Sequence, residues 1–441
     1  MNSGTELSGG LKPGLALQHL VDKCGLACLC GYALLAWYSR GTVLAPELPV
    51  FFLLLAWVSL PTLFLFACCH RQPAALPAGR LIFWAVLFRA CGLFGVPLFE
   101  DDWFRYLWDG YRFAETGTPY GWAPAASFSD PGVPPEFQRI LDQVNYPDLP
   151  TIYGPVSQYA FLLSYYLKAA SLAPLQLIFI GFDLLLIRLL LSAAPAGYVL
   201  LYAWCPLVVK EIAFTAHPDG MGACLLIAAV LLRHRDYCRG AAICLALAAG
   251  AKLLALLAAP WVLARAGWRA TVTFGVTLAL LYLPFLLQGS SDAASLLVFA
   301  RNWEFNSALY GALSSRLPAG DAKLLLGLAL LALGWAYWRY YRRNSPGAIP
   351  RGDWIYGLFL FCAPVINPWY SLWLLPFATI YPSFWAWTAA WTLLLAYLTH
   401  LNLGQLELDL FAHPVWVRPL EFGLILLALG VDCWRGSRRR T

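Results

Sequence analysis

Residues 49–68 read PVFFLLLAWVSLPTLFLFAC, twenty consecutive positions without a charged residue. At 1.5 Å of rise per residue such a run covers about 30 Å, the hydrocarbon thickness of a bilayer. It lacks the strict polar–apolar alternation of a half-buried strand, so the reading is a membrane helix. Thirteen further apolar runs lie between residues 24 and 433, parted by polar or Pro/Gly-rich segments, and several are too short to span alone. Across the 441 residues the hydrophobic share is 60% and the charged share 12%, about half the roughly 25% charged content of a soluble globular chain. Allowing about 20 residues per span and roughly 10 of connection, the chain predicts about 12 to 14 transmembrane or partial-span helices. With no sequence repeat and no strand pattern, residues 1–441 read as one all-α, polytopic membrane domain. A net charge of +6, scattered along the chain, gives no nucleic-acid-binding patch.

The twelve cysteines sit mostly inside apolar runs without zinc-type spacing and read as small buried thiols. Met1 to Lys23 lacks the basic, apolar and cleavage-site order of a secretory leader, so none is expected.

Orientation follows the basic residues. His70–Arg80, Arg233–Arg239, Arg265–Arg269, Arg339–Arg351 and Arg435–Arg440 are Arg-rich and therefore predicted to be cytoplasmic, with both termini. Residues 99–151 are the opposite, nine acidic residues against three Arg. Three spans after a cytoplasmic N-terminus, this acidic loop falls on the outer face. If the basic segments at 233–239 and 265–269 share the cytoplasmic side, the apolar run between them must dip outward and return, with Lys252 near the turn. Such broken backbone is tolerated at membrane depth only where protein or a water-filled cavity covers it. Residues 198–214 read as a partial span, and His217, Pro218 and Asp219 after it then lie outside, as do the 289–320 loop and the Asn367–Tyr370 turn.

The acidic loop opens Glu100-Asp101-Asp102-Trp103-Phe104-Arg105-Tyr106-Leu107-Trp108-Asp109-Gly110. A helix beginning at Asp102 sets 102, 105, 106 and 109 on one face, with Trp103 and Leu107 on a neighbouring stripe. That predicts an amphipathic helix lying in the interface with its carboxylates toward a polar cavity. Three adjacent carboxylates repel, which raises at least one pKa and makes the cluster a candidate general base or metal ligand set. A solvated acidic loop with an N-capping Asp fits this local feature equally well. The stretches Thr116–Pro124 and Val144–Pro155 are dense in Gly, Pro and aromatic residues, as in an ordered turn-rich segment with rings available for a sugar or a cavity wall.

Taken together, Glu100–Pro124, Val144–Pro155, Trp204–Gly220, Phe299–Ser307 and Pro364–Trp373 resemble bacterial polyprenyl-phosphate-sugar-dependent glycosyltransferases of the GT-C type, in particular the mannosyltransferase-like members. The resemblance runs from about residue 95 onward. Its strongest element is Asp-Asp-x-x-Arg-Tyr-Leu-Trp-Asp-Gly at Asp101–Gly110, with Pro119-Tyr120 ten residues on. It implies an inner (plasma) membrane protein with its active site facing the periplasm or exterior. It also implies that Asp102, with Asp101 as neighbour, deprotonates an acceptor hydroxyl. The implied donor is a polyprenyl-phosphate-linked sugar, mannose in that family, and the acceptor a glycan, lipid or protein. Two departures, His217-Pro218-Asp219 in place of His-Asn-Asp and Asn367 in place of His before Pro368-Trp369-Tyr370, bear on donor or acceptor specificity.

Arg89, Asp183, Arg188, Lys210, Glu211 and Lys252 lie in or beside apolar runs, where each costs about 2.5–3.5 kcal/mol at a helix centre and is expected to be paired or to face a cavity. Asp183 with Arg188 and Lys210 with Glu211 are the nearest pairings in sequence. Lys252 has no local partner and reads as a clamp for a departing lipid phosphate, with Arg301 as a second candidate. Arg105, Tyr106, Asp109, His217, Asp219, Asn367 and Tyr370 complete the substrate-binding candidates, with helix capping the competing role for His217. No cofactor is required, and Mg²⁺ or Mn²⁺ at Glu100, Asp101 and Asp102 is open. The competing reading is a transporter or flippase of a lipid-linked sugar, for which broken helices and intramembrane charge are equally natural.

Overall fold

The computed structural model describes residues 13–41 and 47–438. The first residues of the Met1–Lys23 stretch, and Arg439 and Arg440 of the C-terminal basic cluster, lie outside these. Among the described residues the regular structure is all helical, without a named strand.

Five helices are long and apolar enough to cross a membrane: Leu15–Gly41, Leu48–Cys69, Leu172–Leu191, Trp268–Leu286 and Ala319–Asn344. The uncharged run 49–68 lies within the second of them. A sixth candidate is the pair Ala196–Ala203 and Pro206–Phe214, bent by 50°. Pro206 explains the break: it disfavours helical backbone at Cys205 and restarts a helix as its first residue. The pair ends in a π-helical turn over Lys210–Phe214. Every residue from 199 to 224 is buried, so this irregular backbone runs through protein, where its polar groups find partners. Most other apolar runs form helices short of a full span, such as Ala78–Leu93 and Asp219–His234.

The second break falls at Lys252, where a turn was expected. Helix Cys238–Ala251 stops at an extended Lys252 (φ −156°, ψ 131°), followed by a 3-10 turn over Leu253–Ala258 and the short helix Ala259–Val262. Each arm is shorter than the roughly 20 residues a span requires.

Three sequence expectations are corrected. Asp183 pairs with Arg89, at 2.5 Å from its Nε, and accepts the Tyr202 hydroxyl at 2.7 Å, while Arg188 is exposed. Helical spacing explains this: positions five apart diverge around the helix, so Asp183 turns inward and Arg188 outward. Cys30 and Cys68 are exposed on the outside of the helical bundle. The helix Asp102–Thr116 forms as its spacing predicts and ends at Gly117, whose positive φ of 75° suits a left-handed cap. It does not lie free on an interface, however. Residues 105–111 are all buried, because Leu107, Trp108 and Tyr111 pack on Phe137 and Leu141 of helix Pro135–Leu141, while Tyr106 stacks on Phe161 at 4.8 Å. The acidic segment thus folds over this helix and encloses it.

Candidate active site

A cavity of about 890 Å³ is walled by three regions: the start of helix Asp102–Thr116, the 145–154 segment and the break at Lys252. Its other side is apolar, with Leu296, Phe299, Leu326, Leu330 and Phe359. Close backbone packing assembles the polar side. A Cβ on Gly154 would stand 2.3 Å from the Gly250 carbonyl oxygen, so only glycine lets the 145–154 segment meet the end of helix Cys238–Ala251. Ser157 adds a hydrogen bond to the Ala251 carbonyl at 2.9 Å. Tyr153 and Lys252 are thereby carried to the same cavity.

The two aspartates share a donor. Asn145 Nδ2 donates to Asp101 Oδ1 at 2.8 Å and to Asp102 Oδ1 at 2.9 Å, and the Tyr153 hydroxyl donates to Asp102 Oδ2 at 3.2 Å. Burial and the neighbouring Asp102 hold the Asp101 carboxyl above its ordinary range, opposed by the Asn145 hydrogen bond. Glu100 is raised further, by burial, with Lys210 opposing. Glu100, Asp101 and Asp102 all line the cavity, yet they do not gather as ligands. Among the described residues no three His, Cys, Asp or Glu side chains form a metal-holding group. Asp101 Oδ1 and Asp102 Oδ1 both face the Asn145 amide.

Arg105 is a strut. Its Nη1 donates to the Leu149 carbonyl at 3.0 Å and its Nη2 to the carbonyls of Asn145 and Tyr146 at 2.8 and 2.9 Å. The guanidinium therefore fixes the loop that presents Asn145, and Arg105 itself lines the cavity. Asp109 is absent from the cavity wall and turns into the protein, accepting from Gln158 at 2.9 Å. Burial pushes its pKa up to about 6, against Arg105, Thr151 and Gln158.

Lys252 is not alone. Its Nζ donates to Asp219 Oδ1 and Oδ2 at 2.7 and 2.9 Å and stands 4.3 Å over the Tyr370 ring. Asp219, behind the cavity wall, also accepts from Trp373 Nε1 at 2.8 Å. Lys252 keeps a quarter of its side chain exposed and lines the cavity with Asn367 and Tyr370. Arg301 is exposed and absent from the wall. Lys323 is there instead, its Nζ donating to the Ala300 and Arg301 carbonyls at 2.9 and 2.6 Å.

His217 and Tyr106 lie behind the wall. His217 is fully buried and stacks on Trp369 at 4.1 Å, so it reaches no cavity ligand directly. Lys210 and Glu211 pair as expected, 3.3 Å apart, with Tyr397 bridging them at 2.5 Å on each side.

Asn145 and Tyr153 are the site residues that the sequence reading left unassigned. Both fall in the Pro- and aromatic-rich 144–155 stretch, but nothing local aims them at aspartates more than forty residues earlier. The chain matches no known family model, no curated protein and no solved structure.

Proposed function

We propose that this protein is a membrane glycosyltransferase. It moves a sugar, mannose in our reading, from a polyprenyl-phosphate donor to an acceptor hydroxyl at the outer face, with inversion. The observation that carries the reading is one cavity with three parts: a carboxylate pair held by Asn145, a cation at Lys252, and an apolar wall suited to a lipid chain.

In this reading Asp102 accepts the acceptor's hydroxyl proton. The freed oxygen attacks the anomeric carbon as the carbon–oxygen bond to phosphate breaks, and the bonding electrons leave with the lipid phosphate. Lys252 faces that charge from the cavity wall, with Asp219 and Tyr370 fixing its ammonium. Arg105 and Asn145 keep the carboxylates in place, and Asp101 is the neighbouring carboxylate. No nucleotide is needed, so the site requires no phosphate-cradling loop.

The test uses purified protein with polyprenyl-phosphate-mannose and mixed acceptors. The expected result is glycosylated acceptor and free polyprenyl phosphate in equal amounts. Donor that crosses a vesicle bilayer uncleaved, with no product, points instead to transport.

A further inference from the structure

Two aromatic rings of the cavity wall take no part in the packed interior. Tyr146 and Trp303 both line the cavity, and neither joins an apolar core cluster among the described residues. Tyr146 is 46% exposed and Trp303 is half-buried. Their ring centroids lie 4.8 Å apart with the planes at 68°, and Phe299 stands 5.6 Å from Trp303. The rings therefore make a corner instead of a flat shelf.

Tyr146 is also held in an uncommon backbone conformation. Its φ of 46° lies in the left-handed region, which a bulky non-glycine residue rarely adopts, and Pro147 after it narrows the choice further. Two hydrogen bonds to its carbonyl fix this shape, from Arg105 Nη2 at 2.9 Å and from the Leu149 N–H at 3.0 Å. Such strain persists only where surrounding contacts over-determine it, and it gathers at ligand clamps. The preceding residue, Asn145, grips Asp101 and Asp102, so the Tyr146 ring is one position from the amide that holds the proposed base. An interfacial anchor, the common task of exposed Tyr and Trp in membrane proteins, needs neither a strained backbone nor a place in the cavity wall.

We propose that Tyr146 and Trp303 form the acceptor site and that the acceptor is a saccharide. A sugar ring carries an apolar face of polarised C–H groups, which suits the negative face of an aromatic ring, and a rim of hydroxyls. Set in this corner, it presents a hydroxyl to the carboxylate pair. Glu304, next to Trp303, is exposed and lines the same cavity, so its carboxylate is an acceptor for a second hydroxyl. The lipid chain of the donor keeps the apolar wall of Leu326, Leu330 and Phe359. This rests on the transferase reading and narrows the acceptor from glycan, lipid or protein to one chemical class.

The experiment measures steady-state transfer from polyprenyl-phosphate-mannose by the purified full-length protein to three kinds of acceptor: methyl glycosides and short oligosaccharides, a diacylglycerol, and a peptide containing Ser and Thr. The variants are Tyr146→Asn, Tyr146→Phe and Trp303→Leu. Asparagine tolerates the left-handed backbone and removes the ring, whereas phenylalanine keeps it. The expected result is product on saccharides, with the saccharide KM raised at least about tenfold in Tyr146→Asn and Trp303→Leu. The donor KM and kcat stay within about twofold, as for a loss of uniform binding, and Tyr146→Phe recovers most of the loss. Product on the diacylglycerol or the peptide but on no saccharide overturns the acceptor class while leaving the transferase reading intact. A saccharide KM unchanged in both ring-removing variants, or a donor KM raised in its place, overturns the assignment of the two rings. Absence of transfer to every acceptor in the wild type removes the transferase reading, and this site with it.

Discussion

One amide nitrogen of Asn145 holds both aspartates at the cavity wall, donating to Asp101 at 2.8 Å and Asp102 at 2.9 Å. Two like charges on adjacent residues would otherwise turn apart, so Asn145 is what keeps them on one side. Hydrogen bonds to charged groups are worth about 1.5–3 kcal/mol, which is roughly 10- to 100-fold in rate. Asn145→Ala is expected to lower transfer by that factor in a steady-state assay. Asn145→Asp, which adds a further carboxylate and no donor, is expected to lower it at least as far.

The Arg89–Asp183 pair is fully buried on both sides. Removing one member leaves a charge without a partner in the protein interior, which costs about 3–5 kcal/mol. Arg89→Met is therefore expected to lower the unfolding temperature in detergent markedly. The exposed Arg188→Met should change stability by no more than about 0.5 kcal/mol. Equal losses in the two variants would contradict the pairing.

Asp109 supplies a pH signature. Its folded pKa of about 6 lies above the ordinary value of 3.8, so the folded state holds this proton more tightly than the unfolded chain does. The stabilisation is full below about pH 4 and lost as pH rises through 6, amounting to roughly 3 kcal/mol at 1.36 kcal/mol per pKa unit. Asp109→Asn cannot titrate. Unfolding free energy measured from pH 4 to 7 should fall with pH more steeply in wild type than in the variant, and parallel curves would refute the assignment.

Topology is open to cysteine labelling in a variant lacking the native cysteines. Ser129 in the acidic segment and Ser345 in the Arg-rich loop are exposed. Ser129→Cys should react with an impermeant reagent in intact cells, and Ser345→Cys only after lysis.

The helical class was legible because it depends on composition and local spacing. The long apolar runs and the helix opened by Asp102 are each written within some twenty residues, and the break at Lys252 within the stretch bounded by the basic segments at 233–239 and 265–269. Partners were not legible. Lys252 meets Asp219 across 33 positions and Tyr106 meets His217 across 111, distances over which only the packing of helices decides who is adjacent. For the same reason Arg89, not the nearby Arg188, neutralises Asp183. Asn145 carries no local mark of its role, since an Asn in a Pro-rich loop usually serves the turn itself.

Asp102 is the proposed base. The most direct measurement is transfer from polyprenyl-phosphate-mannose by purified wild type, Asp102→Asn and Asp101→Asn, with donor binding followed in parallel. Loss of a general base predicts a fall of about 10²- to 10⁴-fold in kcat for Asp102→Asn, with donor still bound and a smaller loss for Asp101→Asn. Asp102→Asn transferring within twofold of wild type would contradict it.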